Sequence, residues 1–317
     1  MTSPKSRKAP QREEFLRLLI KSGLLTRSQL DTLIRGLPPR ERKSTQAIAD
    51  YLIKNGKLTA FQAQKLLSGS SKGLLLGPFE ILAAIGRGGM SIVYLARDRR
   101  SNRLLALKIL PPQQAQREER MIARFLREMA LSQKVDHPHL ARTFEAGRHE
   151  DIYFIAMEYI PGKSLYRLVN EEGPLDVARA VHLMQQAAQA LEHAHQQGLI
   201  HRDMKPGNVM VTPNYHAKVL DLGFALRQGE TGDLQVVGGQ GYVVGTMDYI
   251  APEQISDSTQ VDPRADIYSL GCTLYFALTG RPPFPGGTSK EKMRRHQTEE
   301  TTPISENAPH VPEGVVA

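Results

Sequence analysis

The apolar positions of the chain change their spacing twice. Ahead of residue 68 they recur at helical intervals, and "IKSGLLTRSQLDTLI" (20–34) aligns without gaps on "IKNGKLTAFQAQKLL" (53–67), sharing Ile, Lys, Gly, Leu, Thr, Gln and Leu. This is an internal repeat. In each unit an apolar helix runs into a glycine, Gly23 or Gly56, that can close it in the left-handed conformation. Thr26 with Gln29 and Thr59 with Gln62 then fit the Thr-x-x-Gln capping box that opens a new helix. Four short helices in two hairpins are expected within residues 1–73, joined by "LPPRERKS" (37–44) and ended by "SGSSKG" (68–73), a flexible boundary by composition. The repeat holds no histidine, paired carboxylates or glycine nest. Its expected role is regulation or interaction, with a partner or by self-association, or else a stabilising extension with no partner.

From residue 79 the pattern turns to strands. "FEILAAI" (79–85) and "SIVYLA" (91–96) flank "GRGGMS", giving strand, glycine turn, strand. Clustered glycines let backbone amides approach phosphates. No helix follows at once, as a dinucleotide site needs, and no Gly-Lys-Ser/Thr is present, which excludes the usual P-loop. The next strand, "RLLALKIL" (103–110), carries Lys108, either an exposed lysine or one that reaches phosphates. "EERMIARFLREMALSQ" reads as a helix with Met121, Phe125 and Leu126 on its apolar side. It also carries Glu128, a solvated carboxylate or an ion-pair partner for Lys108; at about 4 Å such a pair interacts by about 4 kcal/mol at an effective dielectric near 20. A long helix follows, capped by Asp176, with Val181, Met184, Ala188 and Leu191 apolar and Gly198 as its stop. "GLIHRDMKPGNVMV" (198–211) begins where it ends.

Composition narrows the classes. At 317 residues, 40% of them apolar, the chain has room for two domains. No apolar run of membrane length and no signal peptide is present, so a cytoplasmic protein is expected. Cys272, the single cysteine, sits in "SLGCTLYFAL" and reads as a buried thiol, which leaves no internal disulfide or cysteine zinc site. His193 and His195, two apart on a helix, point in different directions and make a poor metal pair. "HPH" (137–139) reads as a turn. A formal charge of +8 invites nucleic-acid binding, but the basic residues are dispersed and tryptophan is absent. No nucleic acid is expected as a partner, and a basic nucleic-acid binder stands only as a rival.

"HRDMKPGN" recurs in order with "GRGGMSIV", "LALK", Glu128, "DLG" (221–223), "APE" (251–253) and "DIYSLG" (266–271). With these the chain resembles the eukaryotic-type (Hanks-type) serine/threonine protein kinases, in particular their bacterial members. The resemblance implies an α+β, two-lobed kinase-like fold over 79–317, with a β-rich N-lobe and a mainly helical C-lobe, behind the small all-α module. It implies ATP and Mg²⁺ as cofactors and a protein with Ser or Thr acceptors as substrate. Asp203 would then take or orient the acceptor's proton and Lys205 would steady the phosphate, while Asn208 and Asp221 would hold magnesium. Lys108, paired with Glu128, would hold the α- and β-phosphates. Ile85, Gly86, Arg87, Gly88, Gly89, Met90 and Ser91 would cover the nucleotide. The Glu158 carbonyl and Ile160 amide would pair with adenine, and Val93, Ala106 and Met210 would sandwich it. His201 would be a packing residue and Asp266 a buried anchor of the catalytic loop.

Three departures stand out. Ser91 occupies the place of the third glycine of the loop. The segment 224–245 offers only Thr231 and Tyr242 as hydroxyls before Thr246, so activation by loop phosphorylation is not expected, and Thr246 is expected against Asp203 and Lys205. Past "RPPF" (281–284) only "TSKEKMRRHQTEE" suggests another helix, so the usual last C-lobe helices are expected to be missing. Glu253 would then lack its family partner and apolar lobe surface would be exposed. A piece of a longer protein is expected. The rival within the same fold is a catalytically weak or dead scaffold.

Overall fold

A computed structural model describes residues 10–87, 91–111, 119–220, 226–227, 246–256, 261–312 and 314. The described residues form two compact units: one drawn from 10–87, 91–109 and 148–159, the other from 110–147 and from 160 onward.

The first unit opens with α1 (Arg12–Lys21), α2 (Arg27–Arg35), α3 (Thr45–Lys54) and α4 (Ala60–Leu67). Both capping boxes form, Thr26 with Gln29 and Thr59 with Gln62, and Gly23 and Gly56 close their helices at φ 73 and 63°. Phe15, Leu19 and Leu30 from one pair of helices meet Ile48, Leu52 and Leu66 from the other in one core. The joining stretch is fastened by Arg42, which donates from Nε to the Leu37 carbonyl at 2.8 Å and from Nη2 to the Arg35 carbonyl at 2.7 Å. Those oxygens lie at and just past the end of α2, where helical partners run out.

The glycine- and serine-rich stretch 68–73 is not the flexible boundary its composition suggested. Gly69 and Ser70 donate to the Leu66 and Lys65 carbonyls, and the Lys65 ammonium donates to the Lys72 carbonyl at 3.0 Å. Leu74 is then buried with the helices and Leu76 with the following sheet. Saturated helix-end carbonyls, rather than small side chains, decide the order of this turn.

That sheet comprises β1 (Leu75–Leu76), β2 (Phe79–Arg87), β3 (Ile92–Asp98), β4 (Arg103–Leu110), β5 (Thr143–His149) and β6 (Ile152–Glu158), in the order β1-β2-β3-β4-β6-β5. Gly86 pairs with Val93, Val93 with Lys108, and Leu95 with Ala106, so these residues share one face. Tyr94, Ala96, Leu105 and Leu107 share the other, which packs on Phe79, Ile81 and Phe154 and reaches Phe61 of α4. The Phe61 and Tyr94 ring centroids are 6.1 Å apart. Two register irregularities in β2 leave Leu82 and Ile85 without cross-strand partners in β3. A bulge exposes a carbonyl that must find a donor elsewhere. For Leu82 that donor is the Thr59 hydroxyl at 2.6 Å, and the buried Gln62 amide donates to the Ile81 carbonyl and the Glu80 carboxylate, each at 3.0 Å.

The second unit contains α5 (Glu119–Ser132), β7 (Lys163–Ser164), α6 (Leu165–Glu172), α7 (Val177–Gln196), β8 (Leu199–Ile200), β9 (Val209–Val211), β10 (Ala217–Val219) and β11 (Leu226–Arg227). After these come α8 (Pro252–Ser256), α9 (Arg264–Thr279), α10 (Ser289–Thr298) and α11 (Ile304–Asn307). Asp176 caps α7 and Gly198, at φ 71°, follows its end. Of the stripe expected on α7, Met184 and Leu191 are buried, but the other two positions are not. Val181 and Ala188 are exposed, while Ala180, Leu183, Ala187, Ala190 and Ala194 are buried. Alanines look weak on a hydropathy scale, yet their small volume suits close packing of α7 on its neighbours, which leaves Val181 outside. On α5, Phe125 is fully buried, whereas Leu126, about 100° further round the helix, is exposed. Cys272 is buried as expected, and burial pushes its thiol up to about 12. Among the described residues no helix is long and apolar enough to cross a membrane.

Candidate active site

The loop after β8 is short, polar and largely withdrawn from solvent, so its backbone and side chains need internal partners. Asp266, at the start of α9 and fully buried, supplies most of them. Its two carboxylate oxygens accept from the His201 amide and the Arg202 amide, both at 2.8 Å, and from His195 Nε2 at 2.7 Å. Arg202 has φ 64°, a left-handed conformation rare for a side chain with Cβ, and two consecutive amides aimed at one carboxylate hold it there. Gln254 fastens the loop from α8 by donating to the Arg202 carbonyl at 2.9 Å.

His201 is a packing residue with a defined tautomer. Its Nδ1 accepts from the Asp203 amide at 3.2 Å, so Nε2 carries the proton and donates to the Leu220 carbonyl at 2.8 Å. Leu220 in turn donates its amide to the Asn208 carbonyl. On this frame stand three chemical side chains. Lys205 Nζ lies 2.9 and 2.7 Å from the two Asp203 carboxylate oxygens. Asn208 donates to the Asp203 carbonyl at 2.7 Å and to its carboxylate at 3.1 Å, from a 3₁₀ turn that Pro206 opens. An ammonium and an amide thus fix one carboxylate whose own side chain is nearly buried.

In the first unit Lys108 is buried, on an interior strand of its sheet rather than an edge, and shares its face with Val93 and Ala106. Gly86 adjoins them: a Cβ there would sit 3.6 Å from that of Val93, ordinary contact on a face that glycine keeps low. Ser91 is buried, and Ile85 and Arg87 are exposed. Glu158 ends β6; in the second unit Ile160 is buried and Met210 lies half-buried on β9. The glycine turn Gly88, Gly89 and Met90, the Glu128 carboxyl, Asp221, Thr231, Tyr242 and the Thr246 side chain lie outside the described residues.

Two residues escaped the reading of the sequence. His195 was weighed only as a metal ligand, and Gln254 follows "APE" with no chemistry of its own. Both act on backbone or buried carboxylate 52 to 71 positions away in the chain, which no local pattern can signal. His193 stacks on His137 at 5.1 Å, so the two α7 histidines do serve different neighbours.

The sequence profile of the family described as "Protein kinase domain" matches residues 79–314. Serine/threonine-protein kinase PknB of Mycolicibacterium smegmatis is 39% identical over 231 residues, 72% of this chain and 36% of that protein. Serine/threonine-protein kinase PrkC of Bacillus subtilis is 36% identical over 239 residues, 75% of this chain and 36% of its own length. For serine/threonine-protein kinase pkn3 of Myxococcus xanthus the figures are 37% over 236 residues, 73% and 43%. The matched stretch therefore spans well under half of each relative. A carboxylate loop hung from a buried aspartate and a buried lysine on an interior strand accord with these likenesses, which place the chain in the protein kinase family, among the bacterial Hanks-type serine/threonine kinases.

Proposed function

We propose that the chain transfers the γ-phosphate of ATP to serine or threonine hydroxyls of a protein substrate. The observation that carries this is the Asp203 carboxylate, gripped by Lys205 and Asn208 on a loop tied to Asp266. Asp203 accepts the hydroxyl proton as the oxygen bonds to the γ-phosphorus and the bridging P–O bond breaks toward ADP. Such a base contributes about 10²- to 10⁴-fold. Lys205 neutralises charge on the transferring group, and Lys108, with Glu128, holds the α- and β-phosphates. Val93, Ala106 and Met210 offer apolar contact to adenine, with the Glu158 carbonyl and Ile160 amide as its polar partners.

The donor set fits magnesium. Asn208 spends its amide nitrogen on Asp203, which leaves its carbonyl oxygen as ligand, and Asp221 adds a carboxylate; hard cations prefer such oxygens. The ion, when bound, neutralises phosphate charge. Residues 79–317 form the catalytic domain in this reading, and residues 1–73 a helical-hairpin repeat that bears on its sheet through Thr59, Phe61 and Gln62.

The test is transfer of labelled phosphate from Mg-ATP to the chain itself or to a generic serine/threonine substrate. Asp203→Asn is expected to abolish it, and unchanged labelling in that variant would remove Asp203 from the reaction. Nucleotide binding without any transfer by the natural chain would make it a scaffold instead.

A further inference from the structure

We propose that the groove between α1 and α2 docks an acidic, amphipathic helical segment of a partner protein. The groove encloses about 690 Å³. Leu16, Ile20 and Ile34 line it, and Ile20 is 39% exposed despite its size. Around this apolar floor stand Arg17, Lys21, Arg27 and Arg35, all exposed, with Asp31 as the single lining carboxylate. Arg12 also lines the groove, but its Nε is committed to the Arg42 carbonyl at 2.7 Å.

The repeat supplies an internal control for what these cations are for. A shift of 33 positions lays α1 over α3 and α2 over α4. The core residues match in kind across that shift, Phe15 with Ile48 and Leu19 with Leu52, all fully buried. The cations do not. Arg17 corresponds to Asp50, Arg27 to Ala60 and Arg35 to Ser68, and of the four only Lys21 has a basic counterpart, Lys54. Folding of a hairpin unit therefore does not require them. The outward surfaces also diverge: α4 spends Phe61 and Gln62 on the sheet, whereas α2 has Ser28 where α4 has Phe61, and Gln29 is exposed.

Apolar floor and cationic rim together select the occupant. A helix that lays leucine-type side chains at i, i+3 and i+7 into the floor carries its glutamates to the rim. α1 has ten residues, a length of about 15 Å, which accommodates about three helical turns of a partner. A second copy of the chain is a poor occupant, because an isologous contact would set like charges against each other on a protein of net charge +8.

The experiment measures fluorescence anisotropy of a labelled peptide of about 14 residues, leucines on one helical face and glutamates elsewhere, against the whole chain. Micromolar binding is expected, weakened at least about tenfold by 0.5 M NaCl. The double variant Arg17→Glu, Arg35→Glu should weaken it by at least about tenfold while melting at the same temperature as the natural chain. Ile20→Glu should act likewise, whereas Lys54→Glu in the second repeat should change nothing. Autophosphorylation should persist in each variant, so this proposal and the kinase reading fail separately. Equal binding of the lysine-for-glutamate peptide would overturn the proposal, as would normal binding by the double variant. So would Arg17- and Arg35-dependent binding of phosphatidylserine vesicles or a short DNA duplex in place of the peptide.

Discussion

At the residue scale Asp266 organises the candidate site without touching the reacting atoms. Its carboxylate receives the His201 and Arg202 amides and His195 Nε2, so its removal strands two buried amides and a half-buried imidazole. Asp266→Ala should cost about 2–5 kcal/mol by urea denaturation, with loss of transfer activity. His195→Ala removes one bond of the three and should cost about 1–2 kcal/mol. If His195 acts by positioning the loop, kcat should fall in that variant with little change in KM for ATP. Ser91 is a milder case. It is buried beside the glycine turn, and Ser91→Gly should change apparent nucleotide affinity by no more than about tenfold. A rise of several hundredfold would show that the natural loop is impaired.

At the element scale the informative pair is α4 and the irregular strand β2. The Thr59 hydroxyl serves twice, accepting from the Gln62 amide to open α4 and donating to the Leu82 carbonyl freed by the bulge. Its counterpart Thr26 opens α2 in the same way but is exposed. Thr26→Ala should therefore cost about 1 kcal/mol, the loss of a cap. Thr59→Ala should cost about 1–2 kcal/mol more, because a strand carbonyl loses its donor as well. Thermal or urea melting of the two variants measures this difference, and equal losses would show that the contact with β2 contributes nothing. Since β2 leads into the glycine turn, the Thr59 variant should also raise KM for ATP, while the Thr26 variant should not.

Across the whole molecule two imidazoles held below their ordinary value, His137 and His296, bear on the response to acid. Burial holds His137 below its ordinary value of 6.5, with repulsion from His193, His139 and Lys218 adding to it. Burial likewise lowers His296, which accepts or donates to the Tyr268 hydroxyl at Nδ1 and lies near Asp248 and Lys292. A depressed imidazole binds fewer protons folded than unfolded. Its contribution is therefore present above 6.5 and lost as pH falls below that value. Urea midpoints should decline from about pH 7 to about pH 5, and the slope should flatten when His137 and His296 are both replaced by Gln. A flat profile in the natural chain would show that neither imidazole is held down.

Local chemistry made much of this protein readable in advance. The capping pairs Thr26 with Gln29 and Thr59 with Gln62, the glycines that close α1 and α3, and the pairing of β2 with β3 depend on residues close together in the chain, whereas the loop carrying Asp203, Lys205 and Asn208 was singled out by family resemblance. Family resemblance also anticipated the role of Asp266. What the sequence left open depends on packing between distant segments. The alanine stripe buried on α7, the order of residues 68–73, the bond from Thr59 to a bulged carbonyl, and the parts played by His195 and Gln254 were settled only by folding. Short-range hydrogen bonds and backbone preferences are written in neighbouring residues, whereas close packing and the satisfaction of buried polar groups belong to whichever segments the fold brings together.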